Sequence, residues 1–156
     1  MDLQLLFASA VTPSLLLLWY FHSRDHHPEP RGVVLATFLF GVAIVVPVFL
    51  IATPLDLITP MIADPGLRGV YRAFAVAAIP EELLKFCVVW FYCARHRAFD
   101  EPMDGLVYGA VASLGFATLE NVLYVASGGL SIALMRSITA IPAHATMGAI
   151  MGYYVG

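Results

Sequence analysis

Long apolar runs alternate with short polar segments along the chain. Each run holds about 20 residues, the length of helix that crosses the roughly 30 Å hydrocarbon core of a bilayer. The pattern predicts an all-α protein, a polytopic membrane helix bundle with about five transmembrane helices. The predicted spans are Leu3–Phe21, Val33–Ala52, Tyr71–Tyr92, Gly105–Ala126 and Leu130–Val155.

Composition supports a lipid environment. Of the 156 residues, 60% are apolar and 12% are charged, and the mean hydropathy is +0.84. An average soluble domain is about 45–50% apolar and about 25% charged. These values exclude an ordinary soluble enzyme, a disordered tail and a disulfide scaffold. The net charge of −3 offers no basic footprint, so we expect no nucleic-acid partner.

The basic residues of the loops predict an orientation. Arg24 and Arg31 lie in the first loop, and Arg95 and Arg97 lie in the third. Because basic loops face the cytoplasm, we expect these two loops inside and the N-terminus outside. The last predicted span runs into Gly156 without a polar tail, so the chain could be truncated, with further helices beyond it.

Four ionisable residues fall inside the predicted spans: Glu81, Glu82, Lys85 and Glu120. A charge near the centre of a membrane helix costs about 2.5–3.5 kcal/mol, so such residues usually mark a functional site. Lys85 follows Glu81 by four residues and Glu82 by three, which allows either pair to meet on one helix face. An ion pair that serves packing alone would need only one acid for Lys85.

Glu120 and His144 each lie on a stripe of small residues with a spacing of four. Such stripes let helices approach closely, so both side chains are expected to point into the bundle. The residues of the two stripes are Gly105, Gly109, Ser113 and Ala117 before Glu120, and Ala140, Gly148, Gly152 and Gly156 around His144. A purely structural pair between Glu120 and Arg136, across a short fourth loop at residues 127–129, is the alternative for Glu120.

Buried acids beside a histidine suit the activation of a water molecule for peptide-bond hydrolysis. A carboxylate takes the proton and the histidine stabilises the developing oxyanion. Two protease types do not fit. The zinc motif H-E-x-x-H is absent from the sequence, and an aspartyl type needs two membrane aspartates, for which Asp104 is the only nearby candidate.

Three motifs, on three successive predicted helices, resemble those of one protein family. Pro80 to Lys85, PEELLK, looks like the EExxK motif of the PrsW family of bacterial membrane proteases. The segments DGLVYGA at 104–110 and GFATLEN at 115–121 are similar to its second block, and residues 136–154 resemble its third. The motifs lie in residues 72–156, and we interpret residues 1–156 as a single transmembrane protease domain.

The resemblance implies an intramembrane endopeptidase related to the CAAX prenyl endopeptidase superfamily, in the cytoplasmic membrane of a bacterium or archaeon. Its substrate would be a single-span membrane protein, such as an anti-sigma factor cut on its extracytoplasmic side. By position, Glu81, Glu82 and His144 would be catalytic. Glu120 stands where the superfamily has a second histidine, and Gly148 stands where it has an asparagine.

The remaining site residues receive supporting roles. Lys85 would balance charge, Arg136 would pair with Glu120 or position substrate, and Asn121 would supply an amide. Glu82, Glu120 and His144 could hold zinc with water as the fourth ligand. The alternative is a metal-free glutamate base, which we slightly prefer.

Two other functional classes of protein are also compatible with the sequence. A transporter or proton relay would also bury acids and a histidine along a path, although such proteins more often show two related halves. A non-catalytic scaffold of the same fold would keep the helix bundle without turnover. Loss of cleavage in Glu82→Ala and His144→Ala variants would separate a protease from both.

Overall fold

A computed structural model describes residues 3–24 and 29–156, and over these residues the protein is helical with no strand. A π-helix, Arg72–Ala78, joins the fourth helix to the fifth, and short 3₁₀ turns lie at Thr59–Met61 and Cys93–Arg95. Residues 25–28 of the predicted first loop lie outside the described residues. The seven α-helices are α1 Leu3–Arg24, α2 Arg31–Ala43, α3 Val45–Asp56, α4 Pro65–Tyr71, α5 Ile79–Phe91, α6 Pro102–Ile138 and α7 Ala140–Tyr153.

Prolines determine where several helices end. Proline lacks the backbone N–H that would bond to the carbonyl four residues earlier. Pro47 therefore leaves the carbonyl of Ala43 without its helical donor, and α2 ends at that residue. Pro142 does the same to Ile138, where α6 ends. Pro80 is the second residue of α5, two residues after the π-helix ends. Short π-helices are frequent at functional sites.

Helix α6 reverses direction at Gly129, the only residue with positive φ among those described (φ 70°). In one continuous helix, Glu120 and Arg136 would lie about 24 Å apart. Instead Nη2 of Arg136 lies 2.6 Å from Oε2 of Glu120. Residues 102–128 and 130–138 therefore form a tight antiparallel hairpin, which agrees with the predicted fourth loop at 127–129.

The two predicted small-residue stripes pack against each other. A Cβ added at Gly109 would overlap the carbonyl oxygen of Gly148, and one added at Gly152 would overlap that of Gly105. The backbones of α6 and α7 are thus in direct contact. Helices α1 and α2 also pack on α6, so α6 is the centre of the bundle and has more buried residues than any other described helix.

Two helical stretches of the described chain are long and apolar enough to cross a membrane, Arg31–Met61 and Pro102–Tyr153. The all-helical fold is therefore confirmed, whereas the count of five spans stays a prediction. The outer surface carries large exposed apolar side chains, including Trp19, Leu50 and Leu57. Such a surface suits contact with lipid.

Candidate active site

The ionisable residues predicted from three separate segments meet inside the bundle. Lys85 on α5 is fully buried, and its Nζ lies 2.9 Å from Nδ1 of His144 on α7. The opposite ring nitrogen of His144, Nε2, lies 3.2 Å from Oε2 of Glu120 on α6. His144 thus bridges a cation and a carboxylate that come from two other helices.

The two adjacent glutamates of α5 face different surroundings. Neighbouring helical residues are separated by about 100° around the axis, so they cannot share one direction. Glu82 pairs with Lys85 at 2.8 Å, and its side chain is 32% exposed. Glu81 lies 3.5 Å from Lys85 and lines a cavity of about 420 Å³ together with Glu120.

Glu81, Glu120 and His144 each offer one atom that could bind a metal, and these three atoms all lie within 4.8 Å of one another. The metal-ligand set predicted from the sequence was Glu82, Glu120 and His144. The structure brings Glu81 rather than Glu82 to this group, because the rotation of α5 directs Glu82 toward Lys85. Two carboxylates and an imidazole are ligands that zinc accepts, so the residues present fit a divalent metal.

Arg136 contacts the same carboxylate oxygen of Glu120 as His144 does, and Asn121 in turn contacts Arg136. Arg136 contacts Oε2 of Glu120 at 2.6 Å and donates from Nε to Oδ1 of Asn121 at 2.9 Å. Asn121 is buried and donates to the carbonyl of Ala10 at 2.7 Å. The pair predicted between Glu120 and Arg136 is therefore present. Asn121 acts through Arg136 and holds α1 against α6.

Phe116 belongs to the site, although no separate role was predicted for it. Its ring packs edge-on against the ring of His144, with centroids 5.6 Å apart. Nζ of Lys85 lies 4.2 Å from the same aromatic centroid, a cation–π distance. The spacing of four residues between Phe116 and Glu120, which places both on one helix face, is the signal that could have identified it.

Helix α3 supplies the apolar wall of the cavity, a role that the hydrophobicity pattern did not reveal. Val45, Val48, Phe49 and Ala52 line it, and Val45 and Val48 belong to one hydrophobic cluster with Phe116. At one end, the exposed Arg72 lies 3.4 Å from Asp56. Ser127 also lines this end. These residues lie in or next to the predicted second loop, residues 53–70, and the predicted fourth loop, residues 127–129. Both loops are predicted to lie outside the cytoplasm.

The fold and the site together define a helical membrane protein that gathers partly buried carboxylates, a histidine and an arginine around a buried lysine beside a cavity. Residues 29–156 match the family described as "PrsW family intramembrane metalloprotease". The chain therefore belongs to this family and is an integral membrane protein. The match begins at residue 29, well before the three motifs, which start after residue 72.

Curated relatives agree with the family assignment. Over 97% of its length the chain is 42% identical to "Protease PrsW" of Geobacillus kaustophilus, and over 96% it is 37% identical to "Protease PrsW" of Bacillus subtilis. "Protease PrsW" of Clostridioides difficile is 31% identical over 96% of the chain. The chain spans 65%, 66% and 64% of these relatives, respectively. No solved structure matches it.

The family description bears on the cofactor. A metalloprotease family makes a metal plausible at Glu81, Glu120 and His144. The slight preference for a metal-free base, drawn from the residue types alone, thus loses weight, while the identity of the metal stays open.

Proposed function

We propose that this chain carries the catalytic site of an intramembrane endopeptidase in the cytoplasmic membrane of a bacterium. The observation that supports the proposal is the convergence of Glu81, Glu120 and His144 beside a cavity inside a helical bundle. The proposal includes five transmembrane spans with the N-terminus outside, and it treats residues 1–156 as one domain.

In this proposal a water molecule in the cavity is the nucleophile. Glu81 accepts a proton from the water as its oxygen attacks the carbonyl carbon of the scissile peptide bond. In the metal-free form, Nε2–H of His144 donates to the oxyanion that forms. The C–N bond then breaks, and the leaving amine receives the proton that Glu81 took up. Arg136, in contact with Glu120, stabilises the charge of that carboxylate throughout.

Glu81, Glu120 and His144 would hold the metal of a metalloprotease. A bound divalent cation would polarise the carbonyl oxygen and favour deprotonation of water. Lys85 stays outside this group: it neutralises Glu82 and fixes the ring of His144 through Nδ1. The metal-free alternative uses the same residues, with Glu81 as the sole base.

The cavity also suggests the class of substrate. Val45, Val48 and Phe49 make its α3 wall apolar, while Asp56 at the end of α3, Arg72 and Ser127 are polar lining residues. A single-span membrane protein could place its apolar segment against α3 and its scissile bond near Glu81. Cleavage would then fall toward the extracytoplasmic end of the substrate helix.

Adjacent glutamates provide a matched pair of variants. With the protein in proteoliposomes and a single-span substrate, we expect Glu81→Gln to lower the cleavage rate by about 10²–10⁴-fold, the range for a lost general base. We expect Glu82→Gln to lower it far less, because that side chain does not line the cavity. Equal losses in both variants would contradict the assignment of Glu81.

A chelator distinguishes the two forms of the proposal. Under the metal form, chelation abolishes cleavage and added zinc restores it, and Glu81→Gln lowers the zinc content of the purified protein while Glu82→Gln does not. Full activity in a protein shown to be free of metal would establish the glutamate base alone. Wild-type cleavage by both Glu81→Gln and His144→Ala would overturn the protease proposal itself.

A further inference from the structure

An apolar groove lies between α1 and α2, and its lining residues are separate from the candidate active site. Its volume is about 330 Å³. Leu18, Val34 and Phe38 are the more buried lining residues, and Leu15 and Leu35 form rims that are 50% and 59% exposed. The groove exists because α1 and α2 each pack on α6 more extensively than on one another.

One end of the groove is polar. His22, near the end of α1, and Arg31, the first residue of α2, both line it. Leu15 and Phe38 each lie seven residues from these positions, so the apolar part extends about 10 Å along the helices. The polar end belongs to the first loop, which the distribution of basic residues places at the cytoplasmic surface.

The start of α2 has the features of an anion site. Its first turn contains no acid, and Pro30 provides no side-chain cap. Gly32 borders open space, since a Cβ there would meet nothing within 4 Å. A helix N-terminus attracts anions through its unpaired N–H groups, and Arg31 adds a full positive charge at the same point.

Two further observations concern the polar end. Nδ1 of His22 is buried and has no hydrogen-bond partner among the described residues, as expected of a polar group beside a site that a ligand would complete. The nearest described acid, Glu29, is buried and accepts a hydrogen bond from the hydroxyl of Tyr108. Its carboxylate is therefore directed into the protein.

We propose that this groove binds an anionic phospholipid of the cytoplasmic leaflet. One acyl chain lies along Leu18, Val34 and Phe38, and the phosphate lies at Arg31 and the N-terminus of α2. A zwitterionic headgroup would place an ammonium group near Arg31, so a headgroup with net negative charge fits better.

The test uses the wild-type protein in bilayers that contain spin-labelled phosphatidylglycerol or phosphatidylcholine. Electron spin resonance measures the fraction of each lipid that the protein immobilises. We expect a preference for phosphatidylglycerol that falls about fivefold in Arg31→Gln, the equivalent of about 1 kcal/mol for one basic residue near the surface. Arg31→Lys should keep most of the preference.

Arg24→Gln is the matched control. Arg24 also belongs to the first loop region, but it lies over the ring of Tyr20 and does not line the groove. It should leave the preference unchanged. Circular dichroism should show intact helix in Arg31→Gln, because removing a cation from a helix N-terminus does not destabilise the helix.

Three outcomes would overturn the proposal. The first is equal immobilisation of both lipids by the wild type. Arg24→Gln and Arg31→Gln could lower the preference equally, which would indicate a diffuse attraction to the loop. A photoreactive group at Leu35 could capture a polypeptide substrate in place of lipid. Capture of phosphatidylglycerol, reduced in Arg31→Gln, would support the site directly.

Discussion

Gly109 is the position where one added methyl group tests both the packing of the bundle and the geometry of the site. A Cβ there would overlap the carbonyl oxygen of Gly148, and it would lie 3.0 Å from both the carbonyl carbon of Gly148 and Cα of Gly152. All three neighbours are backbone atoms of α7, so no side chain can rotate away. Gly109→Ala must therefore push α7 outward.

The size of this shift follows from the contact distances. The overlap with the carbonyl oxygen of Gly148 is the tightest of the three contacts, so α7 has to move by about 1 Å or more before the added Cβ reaches an ordinary contact distance. Overpacking of this kind costs about 1–3 kcal/mol. His144 lies one turn before Gly148 on the same helix. The displacement would lengthen its 3.2 Å contact with Glu120, and a misplacement of about 1 Å can cost about 10²-fold in rate.

The assay combines reversible unfolding in mixed micelles with cleavage of a single-span substrate. Gly69→Ala in α4 is the control, since a Cβ there meets nothing within 4 Å and alanine in a helix gains about 0.5–1 kcal/mol over glycine. We expect Gly109→Ala to lose stability and activity while Gly69→Ala loses neither. A Gly109→Ala variant with wild-type stability would refute the direct contact of α6 with α7.

Two further predictions concern the hairpin and its ion pair. Gly129→Ala should cost about 1–3 kcal/mol in the free energy of unfolding, because φ 70° with ψ −161° is a region that essentially only glycine occupies. Its thermal transition compared with that of Gly69→Ala, whose added Cβ meets nothing within 4 Å, checks this. Arg136→Gln should lower the free energy of unfolding by about 3 kcal/mol, because it leaves the carboxylate of Glu120 without its cation. Adding Glu120→Gln to the same chain should recover most of that loss, which a double-mutant cycle measures.

Much of the helix packing follows from local rules that can be read along the sequence. The glycines at 105, 109, 148 and 152 repeat every four residues, which places them on two helix faces that can only pack closely. Pro142 ends α6 at Ile138 because it lacks an N–H, a purely local effect. The meeting of Glu120 and His144 follows from these two features, since both residues lie on the paired faces.

The choice between Glu81 and Glu82 could not follow from the sequence. The rotation of α5 about its axis decides which of the two side chains points into the cavity. That rotation depends on which faces of α3, α6 and α7 the helix contacts. Helix α3 presents a related difficulty. It is apolar around most of its circumference, so its sequence does not show which face lines a cavity and which face meets lipid.

Lys85 determines which chemistry the ring of His144 can perform. An ammonium group has donors and no acceptor, so Nδ1 of His144 must accept from Lys85 at 2.9 Å. A neutral ring in that arrangement carries its proton on Nε2 and donates to Glu120 at 3.2 Å. A metal ligand needs the lone pair of Nε2, and metal binding therefore requires that this proton leave. His144 and Glu120 thus support two states, a hydrogen-bonded one and a metal-binding one, and the contact between Lys85 and His144 favours the first.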